Sequence, residues 1–427
     1  MTFQLSKYII PAVISMVLVG SYTNIDGLFI GKITGDDGLA AINFAWPIVA
    51  LITSIGTGIG VGGSVLLSKL RGEGKDDGAE RVKKAMFFLL GAFGLLCTFV
   101  LIFLYEPLLK LMGASGQVFA YGNEYSKIIV LGALFQVMGA GLVALLRNEQ
   151  KTWFSMLCCV VGLITHIVLD ILLVERFALS GVAVSTVVSQ AVIMLLCFIP
   201  LRIRKGTKLD FRVYPSILKA SVSPLGINFI LSLVLLFTNY FAQSVGGTEA
   251  VAAYTVMSYA VYTFDYVFQG VVDGVQPVIS YSIGANDKGT EKRALKVCAL
   301  TLAVSALMFA ALTPLWIKVM PKLFSVSTKA ELLMRNGFII YAFSYPLKAL
   351  VKFVCGYYYA SNKPLISNIL IYVDPLLLTP FLLWLLSSTM GVNGIWLAFT
   401  LTQLLIALPS VLSLWIYKRK KQDEVNK

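Results

Sequence analysis

The chain has 427 residues, of which 58% are hydrophobic and only 13% are charged, and its formal net charge is +13. Soluble globular domains carry about 25% charged residues, so this composition argues against a soluble enzyme or a soluble binding module. The mean hydropathy of +0.82 indicates a protein that is surrounded mostly by lipid.

Apolar stretches long enough to cross a bilayer follow one another along the whole chain, at roughly twenty residues for each span. Their predicted bounds are 8–31, 39–68, 82–104, 122–146, 153–174, 180–201, 216–243, 250–283, 294–317, 336–360, 364–387 and 391–417. The predicted fold class is therefore an all-α polytopic membrane protein with twelve transmembrane helices, six in each half.

The two halves of the chain repeat each other at a nearly constant offset. Residues 38–41 (GLAA) align with 250–253 (AVAA) at 212 positions, and Gly181 aligns with Gly394 at 213. Internal repeats in a polytopic protein are typical of secondary transporters, whose two lobes move about a site at the midplane. The predicted units are an N-terminal lobe at 1–205, an inter-lobe linker at 206–219, and a C-terminal lobe with a basic tail at 220–427.

The basic residues lie mainly in the short loops between the spans. Twenty-five Lys and Arg residues fall on the side that carries both termini, and eight fall on the opposite side. The positive-inside rule therefore predicts that both termini are cytoplasmic. Since topology accounts for the positive charge, no nucleic-acid partner is expected; the expected partners are small organic substrates and the lipid bilayer, and the chain is expected to be a monomer.

Seven ionisable residues nevertheless fall inside the predicted spans. They are Asp26, Asp170, Asp265, Asp273, Lys348, Lys352 and Asp374. If all of them faced lipid, the cost would be on the order of 20 kcal/mol, which exceeds the typical net stability of a fold. They are therefore expected to face one another or an internal aqueous cavity.

In the first half these residues suggest a proton site. His166, the only histidine, and Asp170 are four residues apart and share one face of helix five, while Asp26 lies in helix one. Burial disfavours an ionised carboxylate, and a neighbouring imidazole can accept or stabilise the proton. The alternative is that His166 is a polar bridge between helices.

In the second half Asp265, Gln269 and Asp273 recur every four residues, as do Lys348 and Lys352. Opposite stripes of this kind predict a buried ion-pair network that fixes the register of two helices. The alternative is direct contact with substrate.

Aromatic and polar residues on the same spans are candidates for lining the cavity. Rings beside acidic groups bind planar organic cations through dispersion and cation–π attraction, although packing and interfacial anchoring also use such rings. The candidates are Asn24, Asn43, Phe44, Tyr262, Asp265, Gln269, Asp273, Lys348 and Lys352.

Several short stretches resemble a known family. They are NIDGLFIG (24–31), LAAINFAWP (39–47), GVGGSVLLSKLRGEGK (60–75), HIVLD (166–170), GVAVST (181–186) and VDGVQPVISYSIGAND (272–287). In their order, spacing and repetition they are similar to the multidrug and toxic compound extrusion (MATE) transporters, in particular the bacterial MepA-type efflux branch. The resemblance implies an antiporter of two six-helix lobes, in which substrate leaves the cytoplasm as protons or sodium ions enter, without enzyme activity or a cofactor.

The resemblance also implies which residues couple ion movement to transport. The family's first-helix aspartate, fifth-helix Asn-x-x-x-Asp pair and sixth-helix threonine correspond here to Asp26, to His166 with Asp170, and to Thr186. Pro11 matches a first-helix proline at which bending is proposed. A histidine in place of asparagine favours H⁺ over Na⁺ as the coupling ion, with Na⁺ at Asp26 and Asp170 as the alternative and no other metal expected.

The predicted function is secondary active multidrug efflux of organic, cationic and aromatic compounds by alternating access. The nearest alternative is a flippase for a lipid-linked anionic precursor, which would use Lys348 and Lys352 as anion contacts. An intramembrane enzyme is disfavoured, because the sequence contains no phosphate-cradling loop, metal-ligand cluster or nucleophile with a partnered base.

Overall fold

The computed structural model describes residues 4–204, 206–324 and 326–425, without the side chains of residues 23, 32, 36, 248 and 417–425. The charge count and the lobe boundary therefore include positions whose side chains are not described. These positions are Lys32, Lys205 and the basic tail at 418–427.

The described part of the chain is helical, without a strand. The α-helices are α1 Ser6–Gly72, α2 Asp76–Leu111, α3 Gly116–Leu131, α4 Ala133–Asn148, α5 Thr152–Phe198, α6 Tyr214–Gly284, α7 Lys288–Ala311, α8 Thr313–Leu323, α9 Thr328–Ala342, α10 Ser344–Ala360, α11 Pro364–Val373, α12 Thr379–Met390 and α13 Val392–Val425. A 3₁₀ turn at Phe211–Val213 precedes α6, and a π-helical turn at Asp374–Leu378 joins α11 to α12. Because Pro215 favours a helix start, the end of the predicted linker is already helical.

Three of the helices contain a sharp break. The backbone leaves the helical region at Gly35 (φ 63°) in α1, at Ala178 (φ 43°) in α5 and at Gly247 (φ 64°) in α6. Each of these long helices is therefore two consecutive segments. The breaks fall between the first and second, fifth and sixth, and seventh and eighth predicted spans.

Within the described ranges, eight helices are long and apolar enough to cross a membrane, or up to ten if each bent pair is one span. The bent pairs are α3 with α4, at 59°, and α9 with α10, at 48°. Dividing α5 at Ala178 and adding the part of α6 after Gly247, which carries Asp265 and Asp273, accounts for the twelve predicted helices.

The internal repeat extends to the backbone itself. Residues with positive φ recur in both halves, 212 or 213 positions apart: Gly35 with Gly247, Gly74 with Asn286, Gln150 with Asn362, and Ala178 with Gly391. Since left-handed residues mark the turns between helices, the two halves turn at equivalent places.

The buried apolar residues form two clusters, one mainly from the first half and one mainly from the second. The second cluster also includes Leu5, which precedes α1, and Ile9 and Val65 of α1. These residues lie toward the end of the bundle that carries the N-terminus and the turns at 72–76, 148–152, 284–288 and 360–364, which we call the basic end. The halves therefore pack together at the basic end.

Candidate functional site

Three buried side chains of the first half meet at one histidine. The Nε2 atom of His166 lies 3.1 Å from Asp26 Oδ1, and its Nδ1 atom lies 3.4 Å from Asp170 Oδ2. Thr186 Oγ1 is 3.3 Å from the same Nε2 atom. The structure thus brings together all four residues to which the family resemblance assigned ion coupling, and we call them the coupling cluster.

The local structure of α5 explains how the cluster forms. His166 and Asp170 are one helical turn apart, so their side chains share a face. The break at Ala178 lets the second segment of α5 place Thr186 against His166. The ring of Tyr22 packs edge-on against the imidazole, with centroids 4.6 Å apart and an interplanar angle of 80°. These contacts leave the histidine between the two carboxylates.

The coupling cluster contains unsatisfied polar atoms. Within the described residues Asp26 Oδ1, His166 Nδ1 and both carboxylate oxygens of Asp170 make no aligned hydrogen bond, although the ion-pair distances are short. Buried polar atoms are rarely left unpaired without a reason such as an ion or water. One ligand atom from each of Asp26, His166 and Asp170 lies within 4.8 Å of the others, so a proton or a small cation fits this cluster chemically.

Asp26 and Thr186 also line a cavity in the first half, which we call the N-terminal cavity. Its empty space is about 1210 Å³, part of it open to solvent. Aromatic rings on its wall include Tyr22, Trp46 and Tyr125. His166 lies behind Asp26 and is fully buried, as is Asp170. Asp26 is therefore the carboxylate through which the cluster meets the cavity.

A middle cavity lies between the two halves. Its wall includes the predicted candidates Asn24, Asn43 and Tyr262. It shares Trp46 and Tyr266 with the N-terminal cavity. It shares Ser258 and Tyr262 with a third cavity in the second half, which we call the C-terminal cavity. The three adjoining cavities form a chamber that reaches into both halves.

The C-terminal cavity contains the predicted ion-pair network between α6 and α10. Lys348 Nζ lies 3.0 Å from Asp265 Oδ1, and Lys352 Nζ lies 2.9 Å from Asp265 Oδ2. Lys352 also donates a hydrogen bond to Gln269 Oε1 at 3.2 Å. Asp265, Gln269 and the two lysines therefore face one another as their four-residue spacing predicts.

Asp273, the last member of the α6 stripe, pairs instead with the other half of the protein. Gln269 and Tyr359 donate to its Oδ1 atom at 2.8 and 3.1 Å, and Arg147 Nη2 of α4 lies 3.2 Å from its Oδ2 atom. Arg147 follows the predicted span 122–146 and is one of the basic residues counted in the loops, but in the structure it lies in α4 and is buried, with 3% exposure. The signal in the sequence was the excess of three aspartates over two lysines in the spans of the second half.

Phe44, a candidate for the cavity wall, and Pro11, a candidate for helix bending, have different surroundings from each other. Phe44 packs against the apolar cluster of the first half. Pro11 lies inside α1, where its missing N–H removes the helical partner of the Lys7 carbonyl. Thr152 Oγ1 donates to that carbonyl at 2.7 Å. The proline is thus tolerated because a side chain of α5 satisfies the freed acceptor.

A helical membrane protein with two repeated halves around a shared chamber has the architecture of a secondary transporter. The MatE family model matches this chain twice, at residues 11–172 and 224–385, so the second match begins 213 positions after the first. The chain belongs to the MatE family. It is a transporter and not an enzyme, and the match leaves the flippase alternative without support.

Curated and solved relatives agree with this assignment. The chain is 25% identical over 308 residues to the multidrug export protein MepA of Staphylococcus saprophyticus, which covers 69% of this chain and 67% of that protein. An outward-facing multidrug resistance MATE transporter of the MOP superfamily superposes with a TM-score of 0.90 at 21% identity, covering 98% and 96% of the two chains. A MOP superfamily transporter from Pyrococcus furiosus, whose binding pocket is described as having reverse polarity, superposes with a TM-score of 0.90 at 19% identity, covering 99% and 96%. The predicted family and fold class are confirmed.

Proposed function

We propose that this protein is a multidrug efflux transporter that exports aromatic organic cations in exchange for protons. The observation that carries the proposal is the position of Asp26, which lines the chamber and is linked through His166 to Asp170. The name of the relative MepA, a multidrug export protein, supports drug efflux as the activity.

Substrate and proton compete for one charge. An ionised Asp26 attracts an organic cation in the N-terminal cavity, and the rings of Tyr22, Trp46 and Tyr125 add dispersion and cation–π attraction. A proton that reaches Asp26 neutralises the carboxylate and removes the electrostatic part of this attraction. The substrate then leaves, so proton entry and substrate exit are coupled.

His166 carries the proton between the two carboxylates. One ring nitrogen lies 3.1 Å from Asp26 and the other 3.4 Å from Asp170, and an imidazole can accept a proton on one nitrogen while it releases another. Asp170 is fully buried behind the histidine. It therefore holds the proton away from the substrate until the chamber opens to the other side.

The alternative coupling ion is Na⁺, for which Asp26 and Asp170 supply carboxylate oxygens. The histidine between them disfavours it, because a protonated imidazole repels a second cation. With a proton as the coupling ion, export of one monovalent cation per proton moves no net charge. Only the pH gradient then drives transport, whereas each additional proton adds about 2.3 kcal/mol per 100 mV.

The chamber opens alternately to either side as the two lobes move. In this structure the halves are packed together at the basic end. The excess of basic residues favours a cytoplasmic basic end in a bacterial plasma (inner) membrane, and packing at that end supports an outward-facing arrangement in the proposed cycle. A tag on the C-terminus that a protease reaches only in inverted vesicles would support this orientation; cleavage in intact spheroplasts would contradict it.

Dye efflux from proteoliposomes with an imposed pH gradient or sodium gradient tests the proposal. The wild type should export an aromatic cationic dye under the pH gradient, and Asp170→Asn should abolish this export while expression stays intact. Asp77→Asn is the matched control, because Asp77 is 81% exposed in its ion pair with Arg204. Full transport by Asp170→Asn, or drive by sodium alone in the wild type, would contradict proton coupling at this cluster.

A further inference from the structure

The C-terminal cavity has no part in the proton cycle, yet it holds two lysines. Its empty space is about 790 Å³, part of it open to solvent, and its lining residues belong to the second half of the chain. Lys348 and Lys352 line it and are only 12% exposed. Burying two ammonium groups is costly unless each has an anionic partner. The two ammonium groups in this cavity therefore need anionic partners.

The two lysines do not each have a carboxylate within contact distance. Both lysines share one carboxylate, Asp265, with a lysine on each oxygen. Asp374 is the other acidic residue on the wall, but its oxygens accept hydrogen bonds from Thr379 at 2.7 Å and Gln403 at 3.0 Å. Among the described side chains Asp374 forms no ion pair within 4.0 Å of a lysine. One ammonium charge is thus left without a carboxylate of its own.

The hydrogen-bond partners of the two ammonium groups show which lysine has fewer of them. An ammonium group has three N–H donors. Lys352 directs donors to Asp265 and Gln269. Lys348 contacts Asp265 and lies 5.2 Å from the ring centroid of Phe399. The unmatched charge is therefore assigned to Lys348, beside an aromatic ring.

The wall around Lys348 is aromatic. Tyr254, Tyr341 and Phe399 all line the cavity, and the rings of Tyr341 and Phe399 lie 4.6 Å apart with an interplanar angle of 33°. Aromatic rings next to a cationic group suit a flat ligand that carries an anion at its edge. The ammonium group of Lys348, which has no carboxylate of its own, would repel an organic cation from its immediate surroundings.

We propose that the C-terminal cavity is a second ligand site, which binds an aromatic monocarboxylate. Lys348 holds the carboxylate, and Tyr341 and Phe399 hold the ring. The ligand enters from the middle cavity past Ser258 and Tyr262, which line both cavities. The inference takes from the proposed function only that small organic molecules enter the chamber, and it does not depend on the coupling ion.

Calorimetric titration of the full chain in phosphatidylcholine nanodiscs tests this site. The probes are 1-naphthoate, 1-naphthylmethylammonium and 1-naphthylmethanol, which share a ring system and differ in charge. Lys348→Met should weaken naphthoate binding on the order of tenfold or more, because a charge-assisted contact is lost, and should leave the affinity for the ammonium probe unchanged. Asp26→Asn should give the reverse pattern.

Lys329→Met is the matched control, since Lys329 is 70% exposed in its ion pair with Glu249. It should change no affinity. Asp265→Asn provides an independent test if the lysine variant folds poorly: it removes the competing carboxylate and should tighten naphthoate binding several-fold. Lys348→Arg should retain binding, because it keeps the charge.

Equal naphthoate affinity in the wild type and in Lys348→Met would overturn the second site. Displacement of naphthoate when phosphatidylglycerol is added to the nanodiscs would also overturn it, because the lysines would then hold a lipid headgroup. If the wild type exports no cationic dye but still binds naphthoate, the proposed function is refuted and the second site still stands.

Discussion

Arg147 of α4 and Asp273 of α6 form a buried ion pair that joins the two halves of the protein, with 3.2 Å between Nη2 and Oδ2. Next to it, Asn148 accepts a hydrogen bond from Ser68 and donates one to Gln276 Oε1 of the other half, at 2.7 and 3.1 Å. The contact between the halves is therefore polar and directional at this level of the bundle. In alternating access such a contact must break when the halves separate here.

Removal of one partner of this ion pair should destabilise the structure strongly. In Arg147→Met the Asp273 carboxylate stays buried without its cation, which typically costs about 3–5 kcal/mol. The melting temperature in detergent should fall, and the double variant Arg147→Met/Asp273→Asn should recover most of the loss, because no unpaired charge remains while the amide oxygen still accepts from Gln269 and Tyr359. The matched control is Arg204→Met, whose ion pair with Asp77 is exposed and should contribute little. A double variant no more stable than the single one would contradict this account.

Substitution of Gly284 should separate the halves at the basic end. A Cβ atom there would lie 2.0 Å from the carbonyl oxygen of Lys69, so Gly284→Val requires α6 to move away from α1. In a cysteine-free background, Ser282→Cys should then react faster with an impermeant maleimide, because Ser282 is only 1% exposed in this structure. Gly91→Val is the control, since a Cβ at Gly91 meets nothing within 4 Å. Unchanged reactivity in Gly284→Val would show that this contact does not hold the end closed.

His166→Asn should change the ion that the transporter uses. The amide offers a neutral carbonyl oxygen beside Asp26 and Asp170 and cannot relay a proton between them. Efflux in proteoliposomes should lose its response to a pH gradient and gain a response to a sodium gradient. Asp77→Asn is the control and should leave the ion preference unchanged, because Asp77 is exposed and lies outside the coupling cluster. An unaltered pH response in His166→Asn would remove the histidine from the proton path.

Ala178→Gly should stabilise the protein. Ala178 has φ 43° and ψ −123°, a conformation that costs a residue with a Cβ atom about 1–3 kcal/mol. The equivalent position in the second half is Gly391, which has φ 60°. The melting temperature of Ala178→Gly should therefore rise, whereas Ala183→Gly, at a fully buried helical position, should lower it. A lower melting temperature for Ala178→Gly would mean that side-chain packing at Ala178 outweighs the backbone strain.

The sequence alone predicted those features that depend on local spacing. Hydrophobic length predicts the spans, and the four-residue spacing of His166 and Asp170 predicts a shared face. The equal spacing of Asp265 and Gln269 and of Lys348 and Lys352 predicts that their stripes meet. These predictions hold because a helix turns the same way whatever surrounds it.

Only the tertiary structure decided which charges are partners. Arg147 and Asp273 are 126 positions apart in different halves, and no local pattern relates them. The assignment of both lysines to Asp265, and of Asp374 to Thr379 and Gln403, likewise depends on how α6, α10 and α13 pack. Each helix determines the face that its side chains share. Close packing between helices determines which faces meet, because buried charges stay in place only where a partner lies within contact distance.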